Sequence, residues 1–362
     1  MAPTPLLPNG FQTAAGLPAI AISLGDPFGI GPEIVVKSLY DSHLRSFARY
    51  RIFGSVEALN VAAKAAEIAP FWRRIEAGDV PVDDPGCPEV SVIDSSAGPE
   101  KLPTSPVPPG PTPGGGQASY RWVEQAIRCA QLPATDPAHA KAIVTAPISK
   151  TSWDLAGKKQ FPGHTELFAT RFGVKRSGML FVGPSLRVML ATIHVPLMRV
   201  REVLTLDKVL EAIELADQAC RDLGVARPRI AVAGLNPHAG EGGILGDDES
   251  RIISPAVRAA NGAGIDVKGP FPGDTVFNAA AAPPHGRGLF DCVVAMYHDQ
   301  GLIPVKLLDG KLAVNVTVGL PIIRTSPAHG TAFDIAGRNI ADPSSMRAAI
   351  ELALKMIAHK DS

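Results

Sequence analysis

The sequence predicts an α/β protein with mostly parallel sheets, and three observations predict it. Short runs that are apolar throughout, such as AIAISL at 19–24 and CVVAM at 292–296, alternate with longer stretches of helical apolar spacing. Continuous hydrophobicity marks strands covered on both faces, as in parallel sheets. Glycines and polar residues cluster directly after these runs, at the carboxyl ends of the expected strands, where open α/β sheets bind ligands. The 362 residues suffice for two domains with large cores, and no internal repeat is present.

The first strand, 19–24, leads into GDPFGIGPE. Gly25, Gly29 and Gly31 allow a tight turn there, and Pro32 suits the first turn of a helix through Val36 and Leu39. Such a turn either cradles an anion or merely punctuates the chain. It is neither GxGxxG nor a Walker A motif, so the cofactor fingerprint lies elsewhere. A strand at 50–54 and a helix at 56–67 follow. Residues 80–116 carry ten prolines and then three glycines around the short strand EVSVID, and read as an irregular surface excursion. A helix at 117–130 leads to a strand at 142–145 that ends in TAPISK, where Thr145, Ser149 and Lys150 cluster. FPGHTELFATRFG places Gly163, His164 and Thr165 at a helix start, with Thr165 as N-cap. Strands at 179–182 and 186–191 precede a helix at 206–223. A strand at 229–234 runs into LNPHAGEGG, and GPFPGDTVF is a loop centred on Asp274. Ser344 or Ser345 caps the last helix, which ends near His359. Residues 1–18 lack a basic n-region and read as a loose N-terminal tail rather than a signal peptide.

Composition excludes some partners. Lys+Arg and Asp+Glu are 35 each, so neither nucleic acid nor an anionic membrane is the expected main partner. No apolar run reaches the roughly 20 residues of a membrane span. Cys87, Cys129, Cys220 and Cys292 are scattered without CxxC spacing, which suits free thiols in a cytoplasmic protein.

The chemistry concentrates in residues 291–343. Tyr297, His298, Asp299 and Gln300 follow the 292–296 strand, and Lys306, Asn315 and Arg324 come soon after among apolar residues. A cation, an amide and a guanidinium suit a small anionic substrate. Of nine histidines, His194, His238 and His298 each follow an apolar strand. Any one of them alone reads as structural. Together at one sheet edge they make a three-imidazole site for a divalent metal such as zinc, cobalt, nickel or manganese. Such a metal either polarises a substrate hydroxyl, which requires a hydride acceptor, or activates water. Asp334, in the glycine-bounded HGTAFDIAG, can accept ribose hydroxyls and repel a 2′-phosphate, the selection of NAD over NADP, or it can cap a helix.

GDPFGIGPE, TAPISK, FPGHTE, LATIHVPL, LNPHAGEGG, GPFPGDTVF, MYHDQGLIPVK and VNVTVGLPIIRTS occur in the order found in one family. With these motifs the chain resembles the 4-hydroxythreonine-4-phosphate dehydrogenases of pyridoxal phosphate biosynthesis over nearly its whole length after residue 18. HGTAFDIAGRNIADP also resembles the adenosine-binding loop of isopropylmalate and isocitrate dehydrogenases, whose fold this family shares. The resemblance implies two α/β/α domains, 19–150 with 325–362 and 151–324, an active site in the interdomain cleft, and a homodimer that shares it. It implies a metal (zinc, cobalt, magnesium or manganese) on His194, His238 and His298. It implies substrate contacts from His164, Thr165, Lys306, Asn315 and Arg324, with Lys306 also catalytic and Asp274 or Asp299 taking the proton. NAD, with NADP as alternative, falls to His329, Gly330, Thr331 and Asp334. The implied reaction oxidises 4-phosphohydroxy-L-threonine to a β-keto acid that loses carbon dioxide. Sister enzymes acting on 4-phospho-D-threonate, 4-phospho-D-erythronate or a dihydrodiol dicarboxylate are the near alternatives, and a three-His hydrolase is the distant one. Phe28 and Gly273 stand where the family usually has alanine.

Overall fold

The computed structural model describes residues 16–76, 89–94, 110–281 and 288–361. Most of the proline-rich excursion and of the expected tail, and Cys87 with them, lie outside those residues. Twelve strands occur among the described residues: β1 (Ala19–Ser23), β2 (Arg49–Gly54), β3 (Arg73–Glu76), β4 (Val90–Asp94), β5 (Ala142–Thr145), β6 (Gly178–Val182), β7 (Arg187–Leu190), β8 (Ile230–Ala233), β9 (Val267–Phe271), β10 (Cys292–Ala295), β11 (Val314–Val318) and β12 (Ile323–Pro327).

The chain divides into two compact units, one running through Gly173 and resuming at Leu320, the other Val174–Gly319. In the first, the strand order is β3-β4-β2-β1-β5-β12 and every pairing is parallel. In the second the order is β11-β6-β7-β10-β8-β9. There β11–β6 and β6–β7 are antiparallel and the remaining pairings parallel. The expected α/β class with mostly parallel sheets is what the structure has. The central strands are buried along their length, as their unbroken apolar runs require.

Two local expectations are corrected. Gly114, Gly115 and Gly116 are not loop but the first turn of a helix, Pro113–Gln131, capped by Thr112, whose Oγ1 accepts from the Gly115 N–H at 2.9 Å. Glycine is needed there by packing, because a Cβ on Gly116 would overlap the Ser152 carbonyl of the next helix, Lys150–Leu155. Buried Trp153, donating to Ser119 Oγ at 3.0 Å, fastens that helix to the first unit, so this unit extends past residue 150. Thr165 does not cap its helix, His164–Phe172, which begins after Gly163 without a side-chain cap. Where the last helix, Ser344–Asp361, begins, the Ser344 N–H donates to the Asp342 carboxylate at 3.0 Å. Cys129, Cys220 and Cys292 are buried free thiols as expected. No described helix is long and apolar enough to cross a membrane.

Candidate active site

In the second unit, parallel β7, β10 and β8 lie side by side, so their carboxyl ends open on one edge. The segments leaving that edge carry His194, His298 and His238. The rings of His194 and His298 lie 5.7 Å apart between centroids. Thr192 holds the two segments together, its hydroxyl donating to the Met296 carbonyl at 2.7 Å. His298 opens helix His298–Asp309, and its Nδ1 is 2.6 Å from an Asp299 carboxylate oxygen. A carboxylate only accepts, so Nδ1 carries the proton and Nε2 presents its lone pair. This is the carboxylate–histidine arrangement that orients metal ligands. His238 lies on the third segment, with its backbone at φ 52°. Among the described residues no group of three His, Cys, Asp or Glu is close enough to hold a metal. The pair and its donor chemistry nonetheless fit a borderline divalent ion.

Asp274 is exposed ahead of helix Val276–Ala280, and Asn315 is half-buried on β11. Lys306 is exposed, two helical turns beyond His298.

The first unit gathers a cationic cluster. Arg324 on β12 is only 2% exposed, donates to Thr145 Oγ1 on β5 at 2.6 Å and stacks over the Phe168 ring at 5.5 Å. Burial pushes its guanidinium down to about 9, opposed by Glu166, so it remains charged at neutral pH. His164 packs edge-on against Trp153 and tilted against Phe168. Part of the residue is exposed, but Nε2 is sealed from solvent and has no hydrogen-bond partner among the described residues. Burial, then Arg324 and Lys150, hold the imidazole well below its ordinary 6.5, so it is neutral at physiological pH. The unfolded chain takes up this proton near pH 6.5 and the folded chain only at lower pH. This contribution to stability is therefore full above 6.5 and fades as pH falls below it. Urea midpoints measured across that range should drop more steeply for the native chain than for His164→Gln.

The glycine turn after β1 seats the expected cofactor loop. The Ile30 N–H donates to the Thr331 carbonyl at 3.0 Å, and a Cβ on Gly29 would lie 2.9 Å from that same oxygen. Buried Glu33 accepts from the Ala341 N–H at 2.8 Å and so anchors the loop's far end. His329 and Gly330, just before the first anchor, and Asp334, between the two, are exposed. Phe28, the departure from the family pattern, packs on Gly115. Asp26, wholly buried, accepts from Ser152 Oγ at 2.7 Å and from the Phe28 N–H, and burial raises its carboxyl despite both bonds.

Comparison with known proteins decides the family. A family model described as pyridoxal phosphate biosynthetic protein PdxA matches residues 47–353. The chain belongs to the PdxA family. A 4-hydroxythreonine-4-phosphate dehydrogenase of Desulfosudis oleivorans is 44% identical, over 94% of this chain and 96% of its own. A D-threonate 4-phosphate dehydrogenase of Cupriavidus necator is 41% identical, over 95% and 98%. The solved 4-hydroxythreonine-4-phosphate dehydrogenase of Klebsiella pneumoniae superposes with a TM-score of 0.77 at 40% identity, over 94% and 99%. These relatives are dehydrogenases, so the expected oxidoreductase class stands and the hydrolase alternative falls. Not legible in the sequence of this PdxA-family chain is the pairing of Asp26 with Ser152, 126 residues apart, which ties the loop after β1 to the helix Lys150–Leu155. Their only signal was that each follows a strand.

Proposed function

We propose that this chain is a metal- and NAD-dependent dehydrogenase that oxidises 4-phosphohydroxy-L-threonine to 2-amino-3-oxo-4-phosphooxybutanoate. That product loses carbon dioxide to give 3-amino-2-oxopropyl phosphate, in pyridoxine 5′-phosphate biosynthesis. The observation that carries the reading is the meeting of His194 and His298 at one sheet edge, with Asp299 fixing the His298 tautomer. When bound, the metal supplies Lewis acidity toward the substrate hydroxyl and NAD accepts the hydride. Imidazole donors favour zinc or cobalt over magnesium, which prefers oxygen ligands.

Asp299 spends one oxygen on His298, so Asp274 is the favoured acceptor of the hydroxyl proton. Arg324 offers its planar fork to the substrate phosphate, and neutral His164 lies beside it against the same Phe168 ring. Asp334 and Thr331 would receive the ribose of NAD, with the loop backbone held by Ile30 and Glu33. The β-keto acid formed then loses carbon dioxide, the C1–C2 bonding pair passing into an enolate that takes up a proton at C2, while Arg324 would keep its hold on the phosphate.

A homodimer completes the reading. Exposed Leu197 and Met198 follow His194, exposed Ile244 follows His238, and exposed Ile303 and Leu307 follow His298. Large exposed apolar side chains beside all three histidines are what a partner subunit would cover. Such a contact would bring a second copy to the edge that carries the His194–His298 pair. Leu307, 82% exposed, is the natural probe. Leu307→Arg should shift the protein to monomer in sedimentation and abolish metal-dependent turnover, whereas an unchanged dimer would remove this helix from the interface.

The second reading, oxidation of 4-phospho-D-threonate, is favoured by the 41% identical relative of that name. The two substrates share the phosphate and differ at C2, amine against hydroxyl. NADH formation from each at equal concentration decides. Faster turnover of the amino acid upholds the proposal, and faster turnover of the threonate replaces it.

A further inference from the structure

We infer that Gln300 and Glu249 are positioning residues that hold the His238 loop in its metal-binding shape, an inference that rests on His238 being a metal ligand. The backbone of that loop is unusual. His238, Ala239, Gly240, Glu241 and Gly242 run consecutively at φ between 44° and 80°, a left-handed turn in which three members are not glycine. L residues avoid this region, so a turn of this kind persists only where its surroundings over-determine it.

Two side chains do so. Glu249, 5% exposed, accepts from the Leu235 and Asn236 N–H groups at 2.8 and 2.7 Å through one oxygen and from Asn236 Nδ2 at 2.9 Å through the other. A Cβ on Gly240 would lie 2.7 Å from that second oxygen, so the carboxylate fills the inside of the turn. Gln300 acts from the other side. Its Oε1 accepts from the Met296 N–H at 2.7 Å and its Nε2 donates to the Gly234 carbonyl at 2.7 Å. It thus bridges the ends of β10 and β8, the strands that deliver His298 and His238. Gln300 Nε2 also lies 3.0 Å from where a Cβ on Gly273 would be, beside Asp274. Asp248 extends the brace toward the His194 segment, accepting from Asn236 Nδ2 at 3.1 Å and from Arg201 Nε at 3.0 Å.

The test is cobalt affinity of the metal-free full chain, measured by competition with a chelator, alongside melting of the metal-free protein. Gln300→Ala and Glu249→Ala should each weaken cobalt binding about 10- to 100-fold. Glu249→Gln, which keeps one acceptor oxygen, should lose less. Metal-free Gln300→Ala should melt close to the native chain, which separates positioning from general destabilisation and covers the case where Glu249→Ala fails to fold. Cobalt affinity of Gln300→Ala within twofold of native overturns the inference and leaves the metal reading standing. A native chain that binds no cobalt, zinc or manganese overturns the metal reading, and the inference with it.

Discussion

His298→Ala is expected to lower kcat/KM by about a thousandfold, with the substrate KM changed far less. His298 has both halves of a ligand's environment: a neighbouring imidazole 5.7 Å away and a carboxylate on its Nδ1. Losing a ligand that polarises the reacting hydroxyl removes roughly 4 kcal/mol of transition-state stabilisation, which is the thousandfold stated. Asp299→Asn removes only the orienting carboxylate and should cost about 10- to 100-fold in metal affinity. Metal analysis of the purified variants accompanies the kinetics. Turnover of His298→Ala within tenfold of native, with a full complement of metal, contradicts its assignment as a ligand.

Arg324→Met is expected to separate activity from stability. The native fold keeps a charged guanidinium at 2% exposure, where burial, opposed by Glu166, pushes it down to about 9. Replacing a buried charge by an apolar side chain of similar volume is often neutral or stabilising. The melting temperature should therefore hold or rise. The substrate loses the fork that meets its phosphate, a loss of about 3 kcal/mol, so kcat/KM should fall about 100-fold or more. Arg324→Lys keeps the charge without the fork and should recover only part of this. A stable Arg324→Met enzyme with native kinetics would make Arg324 a structural residue.

The strands and the order of the sites were legible because the central strands are almost wholly apolar and His194, His238 and His298 each follow one within a few residues. Adjacency was not. That β7, β10 and β8 are neighbours, and so place three histidines on one edge, is decided by long-range pairing that no local pattern encodes. Gly114–Gly116 misled for a similar reason: their composition says loop, and only the Ser152 carbonyl pressed against Gly116 explains a glycine-rich helix start. Arg324 read as one polar residue among apolar ones, without a sign that it would be sealed beneath Phe168. Glu249 and Gln300 lie 51 residues apart, the difference of their numbers, yet brace the same loop, so neither position alone announces the role.

The most direct test of the account is NADH formation from 4-phosphohydroxy-L-threonine by the native chain, followed before and after removal of metal by a chelator. The account predicts turnover that stops on chelation, returns on adding zinc, cobalt or manganese, and yields carbon dioxide with the NADH. NADH formation that continues unchanged in the metal-free protein would contradict it, because His194, His238 and His298 would then have no part in the chemistry.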